Sequence, residues 1–83
     1  MKTIVLTRAA MKQLDAMLPD VRDQIEAGLA SYAMTGQGDI KKLHDRMGYR
    51  LRVGRYRVIF DEDQTTILAV YIGKRDSRTY SNN

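Results

Sequence analysis

From Thr3 to Thr7 apolar and polar positions alternate, with Ile4 and Leu6 on one side and Thr3, Val5 and Thr7 on the other, a period of two that predicts a short strand. From Arg8 the spacing lengthens: Met11, Leu14 and Leu18 recur at helical intervals, Thr7 is placed to cap the first turn, and Pro19 closes the segment. A second helix opens at Pro19 or Asp20, with Val21, Ile25, Leu29 and Tyr32 along one face and Arg22, Asp23 and Glu26 on the wet side. Two helices so closely joined form a hairpin. Thr35 to Asp39, with glycines at 36 and 38, breaks the helical pattern. Ile40 to Gly48 reads as a linking segment with a basic lean, whose Leu43 is expected to tuck into the core.

Beyond it the period of two returns. Tyr49 to Val53, Tyr56 to Phe60 and Thr66 to Ile72 read as strands, separated by Gly54-Arg55 and by Asp61 to Thr65. The last strand is apolar on both faces, which predicts a central place in a sheet covered by the helices. The expected order is therefore β-α-α-β-β-β, an α+β fold. With 83 residues there is room for one core, so a single domain over 1–83 is expected, of modest stability.

Composition narrows the chemistry by exclusion. The chain has no cysteine and one histidine, His44, which leaves no disulfide framework and no ligand set for a zinc site, so neither metal nor cofactor is expected. The longest strongly apolar run, Ile67 to Ile72, is too short to span a membrane, and the start of the chain lacks a signal-peptide pattern. These features predict a soluble, cytoplasmic protein.

The net charge of +4 is unevenly placed. Residues 1–40 carry four basic and five acidic side chains, whereas residues 41–83 carry ten basic and five acidic ones. Any anionic partner is expected to meet the C-terminal half.

Tyr49 to Phe60 is the most informative stretch. If Gly54-Arg55 forms a type II′ turn, Val53 faces Tyr56 and Arg52 faces Arg57. Leu51, Val53, Tyr56, Val58 and Phe60 then share one face, and Arg50, Arg52 and Arg57 share the other with Ile59. Like charges directly opposite one another destabilise a sheet, so this arginine face asks for an anion. Phosphate suits the planar guanidinium fork, and tyrosines at 49, 56 and 80 interleave with the arginines as bases would require. The plainer alternative, that these arginines only keep an exposed strand soluble, stays open on these residues alone. Gly73 to Tyr80 forms a second basic cluster, which reads equally as a basic tail; it lacks the spaced glycine and following helix of a phosphate loop. His44 reads as a solvated or capping residue and Asp61-Glu62-Asp63 as a solvated turn.

Lys42-Leu43, Gly48 to Gly54, Tyr56 to Phe60, and Gly73-Lys74-Arg75 with Tyr80 together resemble the signature blocks of RelE/ParE-superfamily toxins, and the expected element order is similar too. The resemblance implies the RelE-like fold and the toxin of a type II toxin–antitoxin system. For the RelE-like branch it implies a metal-independent endoribonuclease that cleaves mRNA on the ribosome by attack of a ribose 2′-hydroxyl on the adjacent phosphate.

By position the resemblance implies a catalytic set of Arg52, Arg57, Arg75 and Tyr80, with Arg50, Arg55, Lys74 and Arg78 as further RNA-binding candidates. Arg57 would orient the phosphate and stabilise its developing charge, Arg75 would protonate the leaving group, and Tyr80 would stack or orient. Where the RelE pattern has lysines this chain has Arg50 and Arg52. An arginine with a pKa above about 12 is a poor general base, so charge stabilisation is the role expected of Arg52. The implied partners are a cognate antitoxin, the ribosome and mRNA. ParE-like members of the same superfamily poison DNA gyrase instead, and a non-catalytic nucleic-acid-binding member is a third reading.

Overall fold

The computed structural model describes residues 1–44 and 46–74. Among them the chain forms β1 (Thr3–Leu6), α1 (Arg8–Asp15), α2 (Pro19–Thr35), β2 (Asp39–Lys42), β3 (Tyr49–Val53), β4 (Tyr56–Glu62) and β5 (Thr66–Lys74). The strands make one sheet in the order β1-β5-β4-β3-β2. Only β1 and β5 run parallel; the other neighbours are antiparallel. This is the α+β arrangement expected, with one strand more: β2 lies within the segment read as a link. Its four residues, Asp39-Ile40-Lys41-Lys42, carry one apolar side chain, too little to register as an alternating pattern. They form a strand because β3 offers a free edge for pairing.

Local chemistry sets the helix boundaries. The Thr7 hydroxyl accepts a hydrogen bond from the Ala10 amide at 3.2 Å, which caps α1. Pro19 starts α2, where its missing N–H is no loss, and Gly36 ends it in the left-handed conformation (φ 76°). α1 stops at Asp15, so Leu18 lies off its face and is exposed, as is Met11. The buried side of α1 is Ala10 and Leu14 instead. Gln13 shares the task of docking: its Oε1 accepts the Ile72 amide at 2.8 Å, beyond the point where pairing with β1 ends.

One hydrophobic cluster joins Ile25, Leu29 and Ala33 of α2 to Leu51, Val58, Phe60, Ile67, Ala69 and Ile72 of the sheet. Leu43 is half-buried but does not join this cluster. α2 approaches β3 closely at Gly28, where an added Cβ would lie 2.7 Å from Val53 Cγ2. Glycine to alanine within a helix normally stabilises by about 1 kcal/mol. Here the clash with a stiff β-branched side chain reverses the sign, and Gly28→Ala is expected to cost about 1–3 kcal/mol in urea unfolding. Stability equal to or above that of the parent would refute this packing, and adding Val53→Ala should restore most of the loss.

Glu62, expected in a solvated turn, belongs to β4 and ties it to α2 and to Lys2, just ahead of β1. Its carboxylate accepts hydrogen bonds from Lys2 Nζ at 2.8 Å and from the Tyr32 hydroxyl at 2.9 Å. The turn proper is held by Asp63, whose Oδ1 accepts from the amides of Thr65 and Thr66; these bonds lower the Asp63 pKa. Burial, followed by the Glu62 carboxylate, pushes the Tyr32 phenol up to about 12. A pKa raised above its unfolded value of about 10 means the fold favours the neutral phenol. That contribution is complete below pH 10 and is lost as the pH rises through 12. Stability is thus expected to fall more steeply between these limits in the parent than in Tyr32→Phe, as followed by thermal unfolding. Parallel pH profiles for the two proteins would sink the assignment.

Candidate functional site

The helices cover one face of the sheet, and the arginines occupy the other. Gly54 has φ 59° and no other residue type among those described has positive φ, which makes Gly54-Arg55 the type II′ turn that matches strand twist. The register follows as the alternation requires, with Val53 opposite Tyr56, Leu51 opposite Val58 and Arg52 opposite Arg57. Tyr56 packs against the hydrophobic core, as the hairpin register requires, and Tyr49 does the same, so neither ring lies among the arginines in space. Their positions in the alternation put them on the Leu51 side, and Tyr49 stacks on Phe60 with centroids 5.6 Å apart.

Two cross-strand rows make up the open face. The first runs Asp39, Arg52, Arg57, Gly73, and the second Lys41, Arg50, Ile59, Tyr71. Asp39 answers two of the three arginines: its carboxylate lies 3.5 Å from Arg50 Nη2 and 3.6 Å from Arg52 Nε. Sequence reading missed this residue because it sits on the unforeseen edge strand. Arg50 is nonetheless deep in the face, its side chain 15% exposed, and its Nε has no hydrogen-bond partner among the described residues. A buried guanidinium N–H without an acceptor costs free energy until an oxygen arrives to take it.

Tyr71 is the second residue that sequence reading missed. Ile67 and Ala69 alternate into the core, and a strict period of two would send residue 71 there as well. A bulge intervenes. Phe60 pairs with Ala69 but its neighbour Ile59 pairs with Tyr71, so Val70 is the extra residue and the faces exchange. Ile72 therefore points into the core, while Tyr71 and Gly73 lie on the arginine face. The Tyr71 ring crosses over Gly73, where a Cβ would overlap its hydroxyl end, and the Arg57 guanidinium carbon is 5.7 Å from the ring centroid. That separation is within cation–π range.

The remaining candidates are dispersed. Arg55 is exposed at the tip of the hairpin, and Lys74, opposite Tyr56, falls on the other side of the sheet from Arg57. Arg75, Arg78 and Tyr80 lie outside the described residues. His44 is exposed and lines a shallow cleft of about 820 Å³ with Lys42, Arg46, Tyr49 and Asp61, toward the end of β3 away from the Gly54 turn. Among the described residues no cluster of histidine, aspartate and glutamate could hold a metal ion, and no helix is long and apolar enough to cross a membrane.

What the described face offers is charge and shape: Arg50, Arg52 and Arg57 side by side, one carboxylate at the edge and one aromatic ring. This set can bind and polarise a phosphate.

No protein-family model matches the chain, and no curated protein matches it. Solved structures do. A chain of the RelB–RelE antitoxin–toxin complex from Methanococcus jannaschii matches with a TM-score of 0.71 and 22% identity, covering 94% of this chain and 96% of that one. A chain of the RelE–RelB complex from Pyrococcus horikoshii matches at 0.74 with 18% identity over 89% and 94% of the two chains. The YoeB dimer from Staphylococcus aureus matches at 0.73, with 18% identity over 90% and 98%. With two helices on one face of a five-stranded mixed sheet, this chain has the RelE-like toxin fold.

Proposed function

We propose that the protein is the toxin of a type II toxin–antitoxin pair and acts as a ribosome-dependent mRNA endoribonuclease in the cytoplasm. The observation that carries this reading is the guanidinium face itself, with Arg50, Arg52 and Arg57 gathered on the open side of the sheet by the hairpin register. The likeness to chains from RelB–RelE complexes supports an antitoxin as the protein partner.

In the proposed reaction the ribose 2′-hydroxyl loses its proton to solvent water as its oxygen attacks the adjacent phosphorus, and the bond to the 5′-oxygen of the next nucleotide breaks. The products are a 2′,3′-cyclic phosphate and a free 5′-hydroxyl. Arg52 and Arg57 hold the non-bridging oxygens and stabilise the extra charge of the pentavalent species, the charge a metal would otherwise supply. Arg50, with its unused buried Nε–H, anchors the strand. Arg75 protonates the leaving 5′-oxygen and Tyr80 orients the strand; Arg55, Lys74 and Arg78 provide further contacts to the RNA backbone.

The test is a translation assay with purified ribosomes and a defined mRNA, with cleavage mapped by primer extension. Cuts within the A-site codon, absent with Arg57→Ala, are expected. Intact mRNA alongside arrested growth would overturn the nuclease reading and direct attention to DNA gyrase.

A further inference from the structure

The bulge at Val70 exchanges the two faces of β5, so that Ile72 rather than residue 71 enters the core. Its effect is to turn an aromatic ring out beside the arginines. Bulges commonly re-aim a side chain next to a functional site. Three features make the resulting ring a built surface. Gly73 leaves the space that the ring crosses, and any larger residue there would drive it off. Arg57 holds its guanidinium 5.7 Å from the centroid. Tyr71 is still 37% exposed, whereas its row neighbour Ile59 is 9% exposed.

We infer that Tyr71 is a nucleobase-stacking platform, and that the ligand of this face is a single-stranded nucleic acid gripped at one base as well as at its phosphates. The inference rests on the nucleic-acid reading above and adds what that reading leaves open, the means of distinguishing a base-bearing strand from other polyanions. A phosphate on Arg57 and the base of the same or adjacent nucleotide on Tyr71 are spanned by one nucleotide, given the 5.7 Å between guanidinium and ring. Stacking is tolerant of base identity because every base has a π-face, so Tyr71 selects for the presence of a base rather than for its sequence. A phenol that merely covers Gly73 would make no such distinction.

The test is equilibrium binding of the full chain to a short single-stranded RNA and to a strand of equal length lacking the bases at its central positions. The parent is expected to bind the base-bearing strand roughly tenfold more tightly. Tyr71→Ala should lose that preference while binding the abasic strand as the parent does, and Tyr71→Phe should keep it. Gly73→Ala is an independent variant: its methyl group displaces the ring without removing it, and the preference should fall as in Tyr71→Ala. If Tyr71→Ala weakens both strands equally, or neither, the platform assignment is overturned while the phosphate face stands. If the parent binds neither strand, the platform assignment is overturned, whereas the ribosome-dependent nuclease reading stands or falls by the cleavage assay above.

Discussion

Arg57→Ala is expected to slow the proposed mRNA cleavage by a factor of about 10² to 10³ while the protein stays folded. The size follows from removing one preorganised donor aimed at charge that appears only in the transition state. That the fold survives follows from the register: Arg57 stands on the open face directly opposite Arg52, so its loss relieves a like-charge contact and leaves the core on the helix side of the sheet in place. Arg57→Lys keeps the charge and loses the planar fork, and should fall between alanine and the parent. Single-turnover cleavage on ribosomes, with thermal unfolding of the same samples, separates the two effects. Cleavage by Arg57→Ala within a few-fold of the parent would remove this residue from the site.

The second large effect concerns stability. Phe60 is fully buried at the junction of β4 with both helices' side of the sheet, its ring 5.4 Å from that of Tyr32 and 5.6 Å from that of Tyr49. Deleting such a ring typically costs about 3–5 kcal/mol. A chain of 83 residues has about 4–12 kcal/mol in total. Phe60→Ala is therefore expected to be substantially unfolded at 37 °C in the absence of a partner, with the urea midpoint shifted accordingly. Phe60→Leu, which keeps most of the volume, should cost much less. A loss below about 1 kcal/mol for the alanine variant would mean that the aromatic cluster does not anchor the sheet.

How far these features could be read from the sequence depended on whether a local rule governed them. Thr7, Pro19 and Gly36 act on their immediate neighbours, and they set the start of α1 and both ends of α2, whereas α1 stops at Asp15, short of Pro19. The register of the β3–β4 hairpin was legible because a two-residue turn with glycine first fixes it, and the register fixes the faces, although β4 runs on past Phe60 to Glu62. β2 was not, since Asp39 to Lys42 owe their extended form to the edge of β3. Tyr71 was not, because a one-residue bulge inverts the alternation with no glycine or proline to announce it. Glu62 looked like part of an acidic turn until Lys2 and Tyr32, distant in sequence, closed on it. The arginine positions Arg50, Arg52 and Arg57 could be listed in advance, but their pairing with Asp39 required the tertiary fold.

Asp39 changes how the arginine face counts as a polyelectrolyte. Were all three guanidinium groups answered only by small ions, a bound single strand would release counterions in proportion to three contacts, a slope of about −2.1 in log affinity against log salt. A carboxylate already resident between Arg50 and Arg52 removes one of those releases. The slope is then shallower by about 0.7, the share of one contact. Ligand capture on this side of the sheet becomes in part an exchange of one tethered anion for another, less sensitive to ionic strength than its arginine count suggests.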